Sequence, residues 1–291
     1  IIVSVATEPL VSAFANPQRG YFFVALIYGS LAFVFFQVCF AATKRIEIHP
    51  TAHRENYTLK QSIKIIGKNS QLLILTGAFL VGATAEYIRE TSAIYYVAYN
   101  LGNSSLLPAF MGTVVLSMII ANLIIPAVTR KIDKKGTYYA GTVIAAAASL
   151  VFHFIPFDNL PLILTFAAIS SFGLTVVSTL GWSMLPDTVE YGQALTGVRT
   201  EGVIYSFFSF SQKLATALAG AIVAITLQLT EYVPKQPVQG DAALTGILST
   251  LTFIPIGLIL LSALILKFYK LDKEHFDKLK TQLNAEETPP E

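Results

Sequence analysis

The sequence predicts an all-α polytopic membrane protein, and three observations carry that prediction. Hydrophobic residues make up 54% of the 291 and charged residues only 13%, with a mean hydropathy of +0.60, a balance rare in water-soluble domains. Apolar runs long enough to cross a bilayer, roughly 20 residues each, recur along the chain. Lys and Arg then collect in alternate loops, as the positive-inside rule requires of a chain that threads back and forth. The net charge of +2 adds little to this. The single cysteine, Cys39, rules out an intramolecular disulfide framework and suggests no metal site.

The opening, IIVSVATEPLVSAFA, has no initiator Met, basic n-region or small-residue cleavage site. It therefore reads as a helix entered part-way, not as a signal peptide. Glu8 beside Pro9 places a carboxylate next to a helix-kinking residue, at a depth that a partial helix leaves open. Full spans follow at 21–43, 72–99, 106–128, 137–155, 160–185, 203–230 and 243–268. With the opening segment these make about seven and a half crossings. The expected organisation is the end of a first helix bundle at 1–43, a central loop at 44–69, a six-helix bundle at 70–268 and a tail at 269–291.

One set of loops holds Lys44, Arg45, Arg54, Lys60, Lys64 and Lys68, then Arg130, Lys131, Lys134 and Lys135, then Arg199, then Lys267 and the basic residues of the tail. The opposite set holds only Arg19 and Lys235. The first set, with the central loop and tail, is accordingly expected to be cytoplasmic, in a cell membrane. In the central loop, Leu59, Ile63 and Ile66 recur at helical spacing while Lys60, Lys64 and Lys68 form a basic face. An interfacial helix and an ordinary solvated linker helix fit that pattern equally.

Two basic residues fall inside spans. Lys213 lies about 10 residues into its helix, hence about 15 Å deep, where a cation costs at least ~2.5 kcal/mol. Neither interface is near enough for snorkelling, so Lys213 calls for a partner carboxylate or a wet cavity. Arg89 sits with Glu86 and Glu90, and the i, i+3 spacing allows Glu86 and Arg89 to pair on one helix face. Such a pair either lines a pathway or holds the bundle together. Asp187 and Glu190, also three apart, stand at the expected cytoplasmic end of the 160–185 span, beside Tyr191, where they can pair with Arg199 or nearby basic groups, with Glu201 across a glycine-interrupted turn. A gate of ion pairs or a static clamp fits there. Trp182, near this charged turn, reads as an interface anchor, and His153, with no acidic partner nearby, as an interfacial residue.

The run DTVEYG, followed by TGVRTEG, YSFFSFSQK and the small-residue stretch ATALAGA, resembles the glycoside-pentoside-hexuronide:cation symporters of the major facilitator superfamily. AIYYVAYNLGN, TRKIDKKG and YKLDKEHFDKLKTQL fit the same resemblance, which thus runs over nearly the whole chain. It implies a twelve-helix fold whose first four helices and part of the fifth, about 150 residues, lie outside this sequence. It also implies a small sugar or glycoside as substrate, a coupling proton or sodium ion, and no cofactor. Lys213 would face carboxylates of the absent N-terminal half across a shared sugar and cation site. Ser206, Ser209 and Phe210 would offer hydroxyls and an aromatic face, although core packing accounts for Phe210 as well.

No nucleotide-binding loop, HExxH pair or Gly-x-Ser-x-Gly elbow occurs. The expectation is therefore no enzyme and no nucleic-acid partner, with the lipid bilayer as the main surrounding. Two other readings stay open: a lipid transporter of the same superfamily, and a non-transporting membrane sensor or scaffold.

Overall fold

A computed structural model describes residues 7, 10–11, 13–14, 16–44, 58–197, 200–234 and 236–271. The chain forms two compact units, Ile1–Asn56 and Tyr57–Glu291. Glu8, Pro9, Arg199 and most of the tail lie outside the described residues.

In the first unit, helix α1 spans Pro17–Thr43. The Asn16 side chain caps it by accepting from the Gln18 amide at 2.9 Å, and Pro17 occupies the first turn, where a missing N–H costs nothing. Its 27 residues reach about 40 Å. Phe22, Phe33, Phe35, Phe36 and Phe40 project uncovered from it, as suits a helix solvated by lipid.

The second unit begins with α2, Leu59–Lys68, started by a capping box between Thr58 and Gln61. Ile66 packs on the core while Ile63 stays uncovered, so the apolar face predicted for this helix is only partly used. Asn69 then joins two helices. It ends α2, caps α3 by accepting from the Leu72 amide, and donates to the Thr188 carbonyl at 2.8 Å.

Helix α3, Ser70–Tyr95, continues through a π turn, Tyr96–Asn100, and is buried along most of its length. After a 3-10 turn, Ser104–Leu106, comes α4, Leu107–His153. Forty-seven residues of straight helix would reach about 70 Å, twice a bilayer core. The helix is in fact broken at Ile132 and Asp133, where the backbone leaves the helical region and Asp133 takes φ 63°. The Asp133 side chain restarts the helix by accepting from the Gly136 amide, and its carbonyl accepts from the Thr137 hydroxyl.

The two limbs, 107–131 (α4a) and 134–153 (α4b), pack on α5, Leu160–Thr196, in opposite senses. Ser117 bonds to Ala168 and Thr179 to Asn122, so α4a runs parallel to α5. Gly141 lies against Val176 and Ala145 against Gly173, so α4b runs antiparallel. They are two crossings, as the separate spans at 106–128 and 137–155 predict. Gly197, at φ 70°, closes α5 in the left-handed conformation that glycine tolerates.

Helix α6 spans Glu201–Leu229, and the last crossing comprises α7, Asp241–Leu251, and α8, Phe253–Leu266, separated by a break at Thr252. Helices α5, α6 and α8 surround α3. One core centres on Phe79, Leu180, Met184 and Phe208. A second, toward the far end, holds Tyr96, Phe110, Phe152 and Ile163. The half-buried ring of Trp182 packs edge-on against Phe79 and Phe208, at 6.0 and 4.9 Å between centroids.

Closest approach falls where α5 crosses α4b. A Cβ on Gly173 would stand 2.5 Å from the Ala145 amide nitrogen and 2.6 Å from the Gly141 carbonyl oxygen. Backbone atoms cannot yield as a side-chain tip does. Gly173→Ala is expected to lower stability by about 1–3 kcal/mol, measured by denaturant unfolding in mixed micelles. Gly220→Ala, where nothing lies within 4 Å, serves as the neutral control.

Candidate functional site

Three polar places interrupt the apolar bundle. The first is the uncovered stripe of α6. Its covered face comprises Ile204, Phe208, Ser211, Ala215, Ala219, Val223 and Leu227, recurring at three and four residues. The opposite stripe presents Ser206, Phe210 and Lys213, followed by the small residues Ala217, Gly220 and Ala221. Ser209 is half-covered between the two faces. Lys213 makes no hydrogen bond or ion pair with any described residue, and no other helix of this unit covers it. The Ser206 hydroxyl donates back to the Gly202 carbonyl at 2.7 Å.

The second place is the centre of α3. Arg89 is buried at 6% exposure and does not pair with Glu86. Its guanidinium donates to the hydroxyls of Ser149 on α4b, at 3.3 Å, and Ser170 on α5, at 2.6 Å, and to the carbonyl of Leu251 on α7. It also lies over the Phe152 ring, 5.8 Å from the centroid. The residue four after Leu251 is Pro255, which has no N–H, so a helical partner for that carbonyl does not exist. Arg89 supplies one. Glu86 accepts from the Ser178 hydroxyl, and Glu90 stands half-buried one turn on. Glu86, Arg89 and Glu90 line one cavity with Met111, Met118 and Ser171.

The third place is the end of the bundle that carries the basic loops. Here Lys134, at the restart of α4b, donates to both Asp187 carboxylate oxygens at 2.8 and 2.7 Å and to the Ser183 carbonyl at 2.9 Å. This is the one ion pair between described residues. Sequence spacing offered Arg199 or nearby basic groups as partners of Asp187; Arg199 lies outside the described residues, and the fold brings Lys134 from 53 residues away. The missed signal was the TRKIDKKG turn, whose position between two spans puts it at this same end. Lys135 donates to the carbonyls of Lys267 and Tyr269, closing the segment after α8 onto the break in α4.

Glu190 is half-buried and its Oε2 has no hydrogen-bond partner. Tyr191 packs against the first core. Glu201 opens α6, where a carboxylate suits the positive helix end. Among the described residues no group of three or more His, Cys, Asp or Glu side chains is placed to hold a metal ion.

Helices long and apolar enough to cross a membrane, packed into a bundle without strands among the described residues, define a polytopic, all-α membrane protein. The chain belongs to the MFS/sugar transport protein family, whose model matches residues 1–273. It is 31% identical to a putative sulfoquinovose importer of Escherichia coli K12 over 98% of this chain and 61% of that protein. It is 30% identical to a glucuronide carrier protein homolog of the same organism, over 91% of the chain and 57% of the relative. An isoprimeverose transporter of Lactiplantibacillus pentosus is 30% identical over 94% and 57% respectively. The chain thus spans about three-fifths of the length of these relatives, and their names are those of transporters, not enzymes.

Two tests address the polar contacts. Arg89→Lys keeps the charge but loses the planar fork that reaches three acceptors at once. It is expected to cost about 2 kcal/mol in unfolding experiments, since at least one buried partner is left without its bond. A double-mutant cycle on Lys134 and Asp187 should give a coupling of about 1 kcal/mol, the pair being partly open to water, and should weaken as salt is raised.

Proposed function

We propose that this chain forms the C-terminal part of a secondary active transporter that carries a glycoside, pentoside or hexuronide across the cell membrane together with a proton or sodium ion. The observation that carries the reading is the uncovered stripe of α6. An ammonium about 15 Å into an apolar helix, with no partner among the described residues of its own unit, is costly and is worth keeping where a charged or hydroxylated ligand completes it. The family and the relatives' names support sugar transport. The sulfoquinovose and glucuronide relatives suggest an anionic sugar, for which Lys213 is a suitable counter-charge.

In this reading Lys213 faces carboxylates of an N-terminal bundle across the substrate pathway, with Ser206, Ser209 and Phe210 lining it. The cation neutralises those carboxylates, sugar binds more tightly, and the loaded protein exchanges access by rocking one bundle against the other. The basic loops face the cytoplasm. The Lys134–Asp187 pair and the unpartnered Glu190 oxygen then belong to a cytoplasmic gate, with Arg199 and Glu201 at its edge. Making and breaking these contacts alternates with opening of the other side.

Uptake into vesicles carrying the full-length protein tests this, with sulfoquinovose, a glucuronide and isoprimeverose offered with and without imposed proton or sodium gradients. Gradient-driven accumulation of one of them is expected. Lys213→Ala should reduce that accumulation at least about tenfold, equivalent to ~1.4 kcal/mol. Because coupling is reciprocal, it should weaken binding of sugar and cation by related factors. Undiminished coupled uptake by this variant excludes Lys213 from the site.

A further inference from the structure

Glu86 is left without a role by the contacts described so far. It sits in the middle of α3 at 9% exposure, within a span where a bare charge costs at least ~2.5 kcal/mol. No cation of a described residue pairs with it. Arg89, three residues on, directs its N–H groups to Ser149, Ser170 and the Leu251 carbonyl.

The group that bonds to the carboxyl is a neutral hydroxyl from α5. Ser178 donates to Oε2. Thr175, three residues earlier and so on the same helix face, is buried and its hydroxyl makes no hydrogen bond. The other titratable groups nearby, Tyr87 and Glu90, belong to α3 itself. Around the cavity, α4a contributes Phe110, Met111, Val114 and Met118, α5 contributes Ser171 and Leu174, and α7 contributes Leu251. None of these can carry charge. On α6, Gln212 turns to the Tyr87 hydroxyl.

An ionised carboxylate only accepts hydrogen bonds, whereas a carboxylic acid accepts at one oxygen and donates from the other. With Ser178 as its one hydroxyl donor and no cation paired with it among the described residues, the carboxyl lacks the partners that an ionised carboxylate buried in an apolar span requires. Ionising Glu86 as well as Glu90 would also place two like charges in one water-poor cavity.

We infer that Glu86 is a proton-binding site inside the second unit, with one carboxyl oxygen held by the Ser178 hydroxyl. Binding takes one proton from water and turns the carboxylate into the neutral acid, and release returns that proton. Glu90, half-buried in the same cavity one turn away, is the exchange group between Glu86 and the cavity mouth. The site stands on geometry alone. Its consequence, that the proton is a coupling ion, rests on the transport reading.

Infrared difference spectra of the purified protein in lipid, titrated with pH in H2O and D2O, test the assignment. A carboxylic-acid carbonyl band that shifts on deuteration is expected at neutral pH. It should be lost in Glu86→Gln, displaced in Ser178→Ala, and retained in Glu90→Gln. An unchanged band in Glu86→Gln overturns the site. If that variant does not fold, a band unmoved in Ser178→Ala overturns it equally. Sugar uptake is followed separately on the same proteins. Uptake without a Glu86 band removes the proton site and leaves transport standing, whereas the band without uptake supports the site and counts against transport.

Discussion

The guanidinium of Arg89 is held by acceptors from three other helices, and the packing of the second unit depends on that arrangement. A positive charge inside an apolar bundle is tolerated only when polar groups replace the water it has lost. Two serine hydroxyls, one backbone carbonyl and an aromatic face do so here. The carbonyl is available because Pro255 cannot donate to it and because the helix breaks at Thr252. A local defect in the last crossing thus becomes the anchor that fixes α7 against α3. With Arg89 occupied in this way, Glu86 is left to a hydroxyl of α5, and the two side chains of one helix turn acquire separate environments.

The same economy operates at the basic end. Asp133 holds a backbone conformation uncommon for a residue with a Cβ, and its side chain and carbonyl secure the restart of α4b. That sharp reversal delivers Lys134 to Asp187 and Lys135 to the segment after α8. Backbone strain at one residue is thereby offset by two lysine contacts that tie three crossings together. On the proposed function, this is also where a gate has to open, and partly hydrated contacts can be exchanged there more readily than the buried ones around Arg89.

Much of the fold was legible in the residues. Apolar runs marked the crossings, including the separation of α4a from α4b that a continuous helix conceals. The family resemblance rested on long, spaced motifs and agrees with the family match. Legibility was poorer for side-chain partners. The i, i+3 spacing of Glu86 and Arg89 permits a pair, yet better acceptors were supplied from other helices. Trp182 lies near a charged turn in sequence and still points into an aromatic core. Lys213 shows the opposite case: its unusual depth was plain from position alone, and the structure adds that nothing in its own unit covers it.

What the sequence by itself determined was the class of environment, the apolar runs that become long helices and the end of the bundle at which charge collects. These follow from run length and from loop composition, which are local properties. Only the tertiary structure decided which groups meet. The acceptors of Arg89 lie 60, 81 and 162 residues away, and the partner of Asp187 lies 53 away. No periodicity encodes such pairings, because they depend on how helices cross and rotate about their axes, and that is set by close packing at sites such as Gly173.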